Sequence, residues 1–117
     1  MHNQERDMRQ DSPQLLPGTL YMLILRTLAA GPLHGYAIAR RIKQCSEAAL
    51  DVEEGSLYPA LNRMLLKGWL EAEWGTSGTN RKVRLYNLTK DGRKQLAAEA
   101  SAFNKMVAAI QSVMRTA

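Results

Sequence analysis

The chain of 117 residues is long enough for one folded domain and too short for two independent ones. Its 45% hydrophobic and 23% charged residues are ordinary for a soluble globular protein and exclude a disordered tail. The longest apolar run, residues 20–25, is too short to cross a bilayer, and the polar opening residues do not resemble a secretion signal. We therefore expect a cytoplasmic protein that makes no membrane contact.

Positive charge is concentrated in one part of the chain. The formal net charge is +5, and six basic residues lie between positions 81 and 94 against one acid, Asp91. This run favours a polyanionic partner and predicts phosphate contacts. The single cysteine, Cys45, excludes an intramolecular disulfide, and with His2 and His34 it forms no cluster at metal-ligand spacing. We expect no metal and no cofactor, and interpret Cys45 as a structural helix-end residue, with a redox sensor as the alternative.

The chain opens with a polar segment and a strongly apolar helix. Residues 1–14 show no apolar period and are predicted to form a loose arm. Pro17, Gly18 and Thr19 then resemble a helix start, with Thr19 as the capping residue. The following "LYMLILRTLAAG" is apolar on nearly all sides, so this helix needs more cover than one small domain usually supplies.

Two shorter helices are predicted next. "HGYAIARRIKQCSE" repeats its apolar residues at helical spacing and turns a basic side outward. "EGSLYPALNRMLLKGWL" predicts a helix that begins near Ser56 and ends at Gly68. Its inward-facing residues should be Leu57, Leu61, Met64 and Leu65. Pro59 would then lie in the first turn, where the amide hydrogen that it lacks has no intrahelical acceptor.

The apolar period changes after the third helix. "WLEAEW" and "KVRLYNL" predict two strands joined by the turn-forming "GTSGTNR", and we interpret Trp69 and Trp74 as core residues. Thr89 is the predicted cap of a long final helix, in which Gly92 permits close approach of a neighbouring backbone. Apolar residues recur along this helix as in a heptad repeat, which is typical of a helix that packs on another subunit. They are Leu96, Ala100, Phe103, Val107, Ile110 and Met114.

Three helices followed by a basic hairpin predict a winged helix-turn-helix, a mainly α fold with a small β-hairpin. Here a long C-terminal dimerisation helix is added. We divide the chain into an arm (residues 1–14), a DNA-binding domain (15–88) and the dimerisation helix (89–117). In this fold the third helix enters the DNA major groove, and the hairpin, or wing, lies on phosphates or in a minor groove.

The third helix supplies the first candidate DNA contacts. Asn62 can read adenine and Arg63 can read guanine, whereas the hydroxyls of Ser56 and Tyr58 are better suited to phosphates. The unpaired amides of its first turn also favour an anion. Each candidate has a simpler alternative: Tyr58 as a half-buried aromatic residue, Asn62 and Arg63 as a solvated helix face, and the basic wing as a solvated hairpin.

Three segments together resemble the PadR family of bacterial transcriptional regulators. They are "PLHGYAIARRI", "EGSLYPALNRMLLKGWLEAEWG" and "RLYNLTKDGRKQL", and they follow the family's order over nearly the whole chain from about residue 15. The chain is similar to the short members of that family, which have a single C-terminal helix. The resemblance implies a homodimeric repressor whose C-terminal helix packs on the partner's N-terminal helix.

The resemblance also implies sites. DNA contact is implied for the "HGY" residues 34–36, for residues 55–61 and for the wing near Arg81 and Lys82. With Asn62 and Arg63 added from the helix pattern, the predicted contact residues are His34, Tyr36, Ser56, Tyr58, Pro59, Asn62, Arg63, Arg81 and Lys82. For His34, a locally satisfied residue at a helix start is the alternative. The residues implied for the dimer interface are Leu20, Tyr21, Leu23 and Ile24, together with the six heptad residues of the last helix. Some family members bind aromatic effectors beside that helix, which implies a small aromatic or hydrophobic effector, although Phe103 is the only aromatic residue there.

Our leading hypothesis is therefore a sequence-specific DNA-binding regulator. A symmetric dimer predicts a pseudo-palindromic operator. The alternative is a ligand-sensing or protein-interaction module that uses the same fold without DNA. We do not expect an enzyme, because His34 and Cys45 are too far apart along one helix to form a nucleophile–base pair, and the sequence has no phosphate-binding loop.

Overall fold

The computed structural model describes Leu15 and residues 17–116. This part of the chain contains four helices and three strands. The helices are α1 (Pro17–Leu28), α2 (Gly35–Cys45), α3 (Glu54–Leu66) and α4 (Lys90–Arg115), and the strands are β1 (Leu33–His34), β2 (Leu70–Thr76) and β3 (Lys82–Leu88). The order confirms the predicted winged helix-turn-helix with a long last helix. The predicted arm, residues 1–14, lies outside the described residues.

The described sheet has three strands and not the two that the sequence predicts. Its order is β1-β3-β2, and both pairs are antiparallel. The wing is the β2–β3 hairpin, and β1 places His34 opposite Leu85 on the other edge of β3. A strand of two residues is too short to show an alternating pattern, which is why the sequence did not reveal β1.

The hydrophobic core lies between the helices and the base of the wing, with α1 at its centre. Ile24, Leu25 and Leu28 on α1 are fully buried. The other buried apolar residues are Leu20, Ile38, Ile42, Val52, Leu57, Ala60, Leu61, Met64, Leu70, Tyr86 and Leu88. α2, α3, β3 and α4 of the same chain all pack on α1, although its residues Tyr21, Met22 and Leu23 are only half-buried.

The start of α3 differs from its prediction. The helix begins at Glu54 and not near Ser56, because Glu53 and Glu54 place carboxylates where the positive end of the helix dipole favours them. Pro59 consequently lies in the second turn, inside the helix. At this position the amide hydrogen of an ordinary residue would bond to the carbonyl of Gly55, and proline has none. The prediction that Pro59 costs no hydrogen bond is therefore wrong.

The start of α1 and the end of α3 are set by a proline and a glycine. α1 begins at Pro17, a favoured first position for proline, so Thr19 lies inside this helix and is not its cap. α3 ends at Leu66, and Gly68, the predicted stop, follows its cap residue Lys67 with a φ of 78°, a left-handed conformation. The amides of Gly68 and Trp69 both donate to carbonyls of the last turn of α3, each at 3.1 Å, which is a Schellman motif.

The start of α4 is fixed as the sequence predicts. The Thr89 hydroxyl accepts a hydrogen bond from the Gly92 amide at 3.0 Å and donates one to the Gly68 carbonyl at 2.6 Å. Gly92 is buried, and a Cβ atom at this position would collide with the carbonyl oxygen of Trp69. The first turn of α4 is therefore locked against the start of β2.

The distal part of α4 extends away from the core. The helix has 26 residues, so it is about 39 Å long. After Ala100, every described residue of α4 except Val107 is exposed. The large apolar side chains exposed there are Phe103, Met106, Ile110, Val113 and Met114. No helix in the described part of the chain is both long enough and apolar enough to span a membrane.

Candidate nucleic-acid interface

The outer side of α3 carries four of the predicted DNA-contact residues. Ser56, Pro59, Asn62 and Arg63 are all exposed. The buried positions of this helix are Leu57, Ala60, Leu61 and Met64. At about 100° per residue, Pro59 and Asn62 lie opposite those positions, with Ser56 and Arg63 on one flank. Leu65, predicted to face inward, is only half-buried, and Ala60 occupies the core position that the prediction omitted.

Arg63 has partners on α1. Its Nε donates a hydrogen bond to the Tyr21 hydroxyl at 2.6 Å, and its guanidinium carbon lies 5.8 Å from the centre of the Tyr21 ring. Tyr21 in turn meets Trp69 edge-on, with ring centroids 5.7 Å apart. Lys67 Nζ lies 5.3 Å from the Trp69 ring centre. Arg63 therefore lies against α1 while its neighbour Asn62 points away from the core, so the two predicted base readers are not equivalent.

Tyr58 joins α3 to the start of α2. A Cβ atom at the buried Gly35 would lie within 3 Å of the Tyr58 ring, so the glycine is what allows the two helices to approach here. Burial raises the pKa of the Tyr58 phenol, and the charges of Glu54 and Tyr86 raise it further. The phenol consequently remains a protonated hydrogen-bond donor at neutral pH, which suits it to a phosphate oxygen.

The start of α2 is better suited to an anion than the start of α3. The first turn of α2 contains no acidic residue, whereas α3 begins with Glu53 and Glu54. The predicted anion site at the first turn of α3 is therefore disfavoured by like charge. His34 precedes α2 in an extended conformation and is not part of the helix, and its ring stacks on Tyr36 with centroids 6.3 Å apart. Tyr36 is 64% exposed, so this pair lies at the surface.

A cleft of about 700 Å³ lies between α2 and the tip of the wing. We call it the basic cleft, because its described lining includes three arginines and no carboxylate. It is lined by Leu33, His34, Tyr36, Ala37, Arg40, Arg41, Gln44, Ser77, Gly78, Thr79, Arg81 and Val83. Sequence reasoning did not assign Arg40 and Arg41 to a site. The only signal for them was the basic outer side of α2, whose position opposite the wing tip is set by tertiary structure.

The wing places its two predicted contact residues on different surfaces. Arg81 is at the tip, where its backbone carbonyl accepts from the Ser77 amide at 2.8 Å and its amide donates to the Ser77 hydroxyl at 3.2 Å. Lys82 is directed to the Trp74 ring, with Nζ 5.1 Å from the ring centre. Trp74 is 65% exposed, so its interpretation as a core residue is wrong, while Trp69 is half-buried beside Tyr21.

The predicted dimer residues fall into three groups. Leu20 and Ile24 are buried in the core of their own chain. Tyr21, Leu23, Leu96, Ala100 and Val107 are half-buried, and Phe103, Ile110 and Met114 are exposed. Within the described residues, no group of three or more His, Cys, Asp or Glu side chains could hold a metal ion.

Comparisons with known proteins agree with this architecture. Residues 24–98 match the transcriptional regulator PadR-like family. This segment includes α2, α3 and the wing, and it ends inside α4. The fold is similar to that of a PadR-like transcriptional regulator from Bacillus cereus, with 24% identity, a TM-score of 0.77, and coverage of 90% of this chain and 100% of that one. A PadR family transcriptional regulator from Eggerthella lenta is 27% identical, with a TM-score of 0.71 and coverage of 86% and 85%.

A relative from Streptomyces fradiae, an uncharacterized 37.1 kDa protein in transposon TN4556, is 41% identical over 87 residues. The matched region covers 73% of this chain and 23% of that protein, so the present chain corresponds to a minor part of its length.

Proposed function

Because this chain belongs to the PadR-like family of transcriptional regulators, we propose that it is a sequence-specific DNA-binding regulator that acts as a homodimeric repressor. The observation that carries this proposal is the junction of α2, α3 and the wing. Tyr58 of α3 covers Gly35 at the start of α2, and α2 and the wing together line the basic cleft. A surface of exposed polar groups thus continues from the outer side of α3 to a set of arginines. A regulator of this kind works on chromosomal DNA, hence in the cytoplasm.

Each part of this surface has a distinct task in the proposal. Asn62, which points away from the core, reads an adenine edge in the major groove. Ser56 and Tyr58 hold phosphates beside it. The arginines of the basic cleft neutralise the backbone of the same site, since guanidinium groups pair with phosphate oxygens through two parallel hydrogen bonds.

Two copies of the chain would bind one operator. The exposed apolar side of α4 beyond Ala100 supports a homodimer, because one chain leaves this side uncovered. A twofold axis then implies a pseudo-palindromic operator whose half-sites are about 34–36 Å apart or a multiple of that distance. A protein bound across such a site represses transcription by occluding a promoter.

A small aromatic or hydrophobic effector would release this dimer from DNA. A second cavity, of about 450 Å³, lies between α1 and α2. Its lining combines five aliphatic residues, Leu23, Ala29, Ala30, Ile42 and Leu50, with Arg26, Thr27, Arg41, Cys45 and Ser46. This cavity also supports the second candidate function, a ligand-sensing module of the same fold that does not bind DNA. DNA binding by the purified protein distinguishes the two functions.

The decisive experiment is fluorescence anisotropy with duplex DNA from the region upstream of the gene. We expect binding that weakens steeply with salt, and Asn62→Ala should reduce the preference for the upstream site over mixed-sequence DNA by about 1–3 kcal/mol. Asn104→Ala on α4 is the matched control, because this asparagine is exposed and remote from α3. If the unaltered protein shows no binding at low salt, the ligand-sensing module becomes the better function.

A further inference from the structure

One face of the wing carries cations and aromatic rings in alternation. Trp74 of β2 is paired with Arg84 of β3. Lys82 and Tyr86 lie two residues to either side of Arg84, and every second residue of a strand points to the same side, so both are on the same face. Lys82 Nζ lies 5.1 Å from the Trp74 ring centre, and the Arg84 guanidinium carbon lies 5.9 Å from the Tyr86 ring centre. We call Lys82, Trp74, Arg84 and Tyr86 the wing ladder.

The ladder starts in the core and ends in solvent. Tyr86, with 4% of its surface exposed, lies near Tyr58 of α3, whereas Trp74 is 65% exposed. The buried Leu70 and Leu88 occupy the same face nearer the base of the wing. The core covers only the inner half of this face. The outer half therefore presents the large apolar ring of Trp74 to water. A tryptophan between two cations, continuous with the proposed recognition helix, is suited to a polyanionic partner that also has apolar surface.

The opposite, or reverse, face of the wing changes along its length. Glu71 and Glu73 lie there near the base, and they are paired with Asn87 and Leu85. Nearer the tip, Val83 lies on the same face and lines the basic cleft. The acidic residues therefore disfavour a polyanion at the base of this face only, whereas none of the paired residues on the ladder face is acidic.

We propose that Trp74, Lys82 and Arg84 form a contact surface for the backbone of double-stranded DNA. The Trp74 ring packs on deoxyribose, and the two cations pair with the phosphates on either side of that sugar. Cation–π contacts hold both cations extended along the wing before DNA arrives, which reduces the conformational entropy lost on binding. The inference rests on the proposed function and adds to it a neutral residue that strengthens binding without reading sequence.

The test separates the ring from the charges by their salt dependence. With a mixed-sequence duplex of about 30 base pairs, three helical turns, Trp74→Ala should weaken binding about fivefold to tenfold and leave the slope of log K against log[salt] unchanged. Trp74→Phe should retain most of the affinity. Lys82→Gln should reduce the magnitude of that slope by about 0.9, the value for one phosphate contact. Leu85→Ala, a truncation on the reverse face, is the control, and urea denaturation of each variant separates lost binding from lost folding.

A direct readout uses the protein's two tryptophans. Trp69→Phe leaves Trp74 as the single emitter, and its fluorescence should change when the duplex is added. If Trp74→Ala binds as the unaltered protein does and the emission does not change, the ladder is wrong while the proposed function stands. Tighter binding of a single strand than of the duplex would also overturn it, because the ring would then be stacking on bases. Absence of duplex binding by the unaltered protein would overturn both proposals.

Discussion

At the scale of single residues, Asn62 and Arg63 are adjacent in sequence and differ in what their side chains touch. Arg63 is bound to Tyr21 through a hydrogen bond and a ring contact, and both lie at the surface, where solvent weakens them. Contacts of this kind are worth about 1 kcal/mol each at exposed sites. Arg63 therefore braces α3 against α1, whatever it contributes to DNA binding. Asn62 points away from the core, so its proposed contribution is to DNA binding and not to the stability of the free protein.

This difference gives a stability test. Arg63→Ala should lower the free energy of unfolding by about 1–2 kcal/mol, because the hydrogen bond and the ring contact are both lost. Asn62→Ala, its neighbour on the same turn, should change it by less than about 0.5 kcal/mol, as is usual for an exposed residue. Urea denaturation measures both values. Equal effects of the two substitutions would show that the contact with Tyr21 does not brace α3.

At the scale of elements, one junction joins α3, the wing and α4. The turn at Gly68 follows α3, and Trp69 leads from it into β2. The Thr89 hydroxyl, which caps α4, donates a hydrogen bond to the Gly68 carbonyl in this turn. Gly92 permits this contact because it has no Cβ atom to strike the Trp69 carbonyl. The end of α3 and the start of α4 are therefore held together by two hydrogen bonds from Thr89 and by the close approach of Gly92.

Substitution of Gly92 tests how tightly this junction is packed. Glycine to alanine inside a helix normally adds up to about 1 kcal/mol of stability. Gly92→Ala should instead destabilise the protein by about 1–3 kcal/mol, because the added methyl group overpacks against backbone that cannot yield. Gly18→Ala in α1 is the control, since nothing lies within 4 Å of a Cβ atom there. Thermal unfolding compares the two, and a stabilised Gly92→Ala would mean that α4 can move away from β2.

These elements also show which features the sequence could predict. Apolar periods gave α2, α3, the wing and α4, and local chemistry gave the cap at Thr89 and the turn at Gly68, because each depends on residues close in sequence. The prediction that Pro59 lies in the first turn of α3 was wrong, because two acidic residues extend the helix at its start. The basic cleft and the exposure of Trp74 depend on how far the wing projects beyond the core, which no local pattern encodes.

At the scale of the whole molecule, the apolar surface is distributed unevenly. The extents of 52 × 38 × 23 Å describe an elongated particle, and the distal part of α4 lies beyond the cover of its own core. Phe103, Ile110 and Met114 recur on one side of this helix at heptad-like spacing, and all three are exposed. Water contact with so many large apolar groups is unfavourable, so a second chain would gain stability by covering them.

Ile110→Glu tests this last expectation because it puts a charge at the centre of the exposed apolar side of α4. We expect a monomer by sedimentation equilibrium at concentrations where the unaltered chain is a dimer, and a melting temperature that no longer rises with protein concentration. Affinity for a two-half-site operator should fall by about tenfold or more, since the second half-site is no longer bound as part of one unit. Ser112→Glu, about 200° around the helix, adds the same charge on the opposite side and should leave the dimer intact. If Ile110→Glu sediments as the unaltered chain does, the two copies associate through another surface and this side of α4 has a different partner.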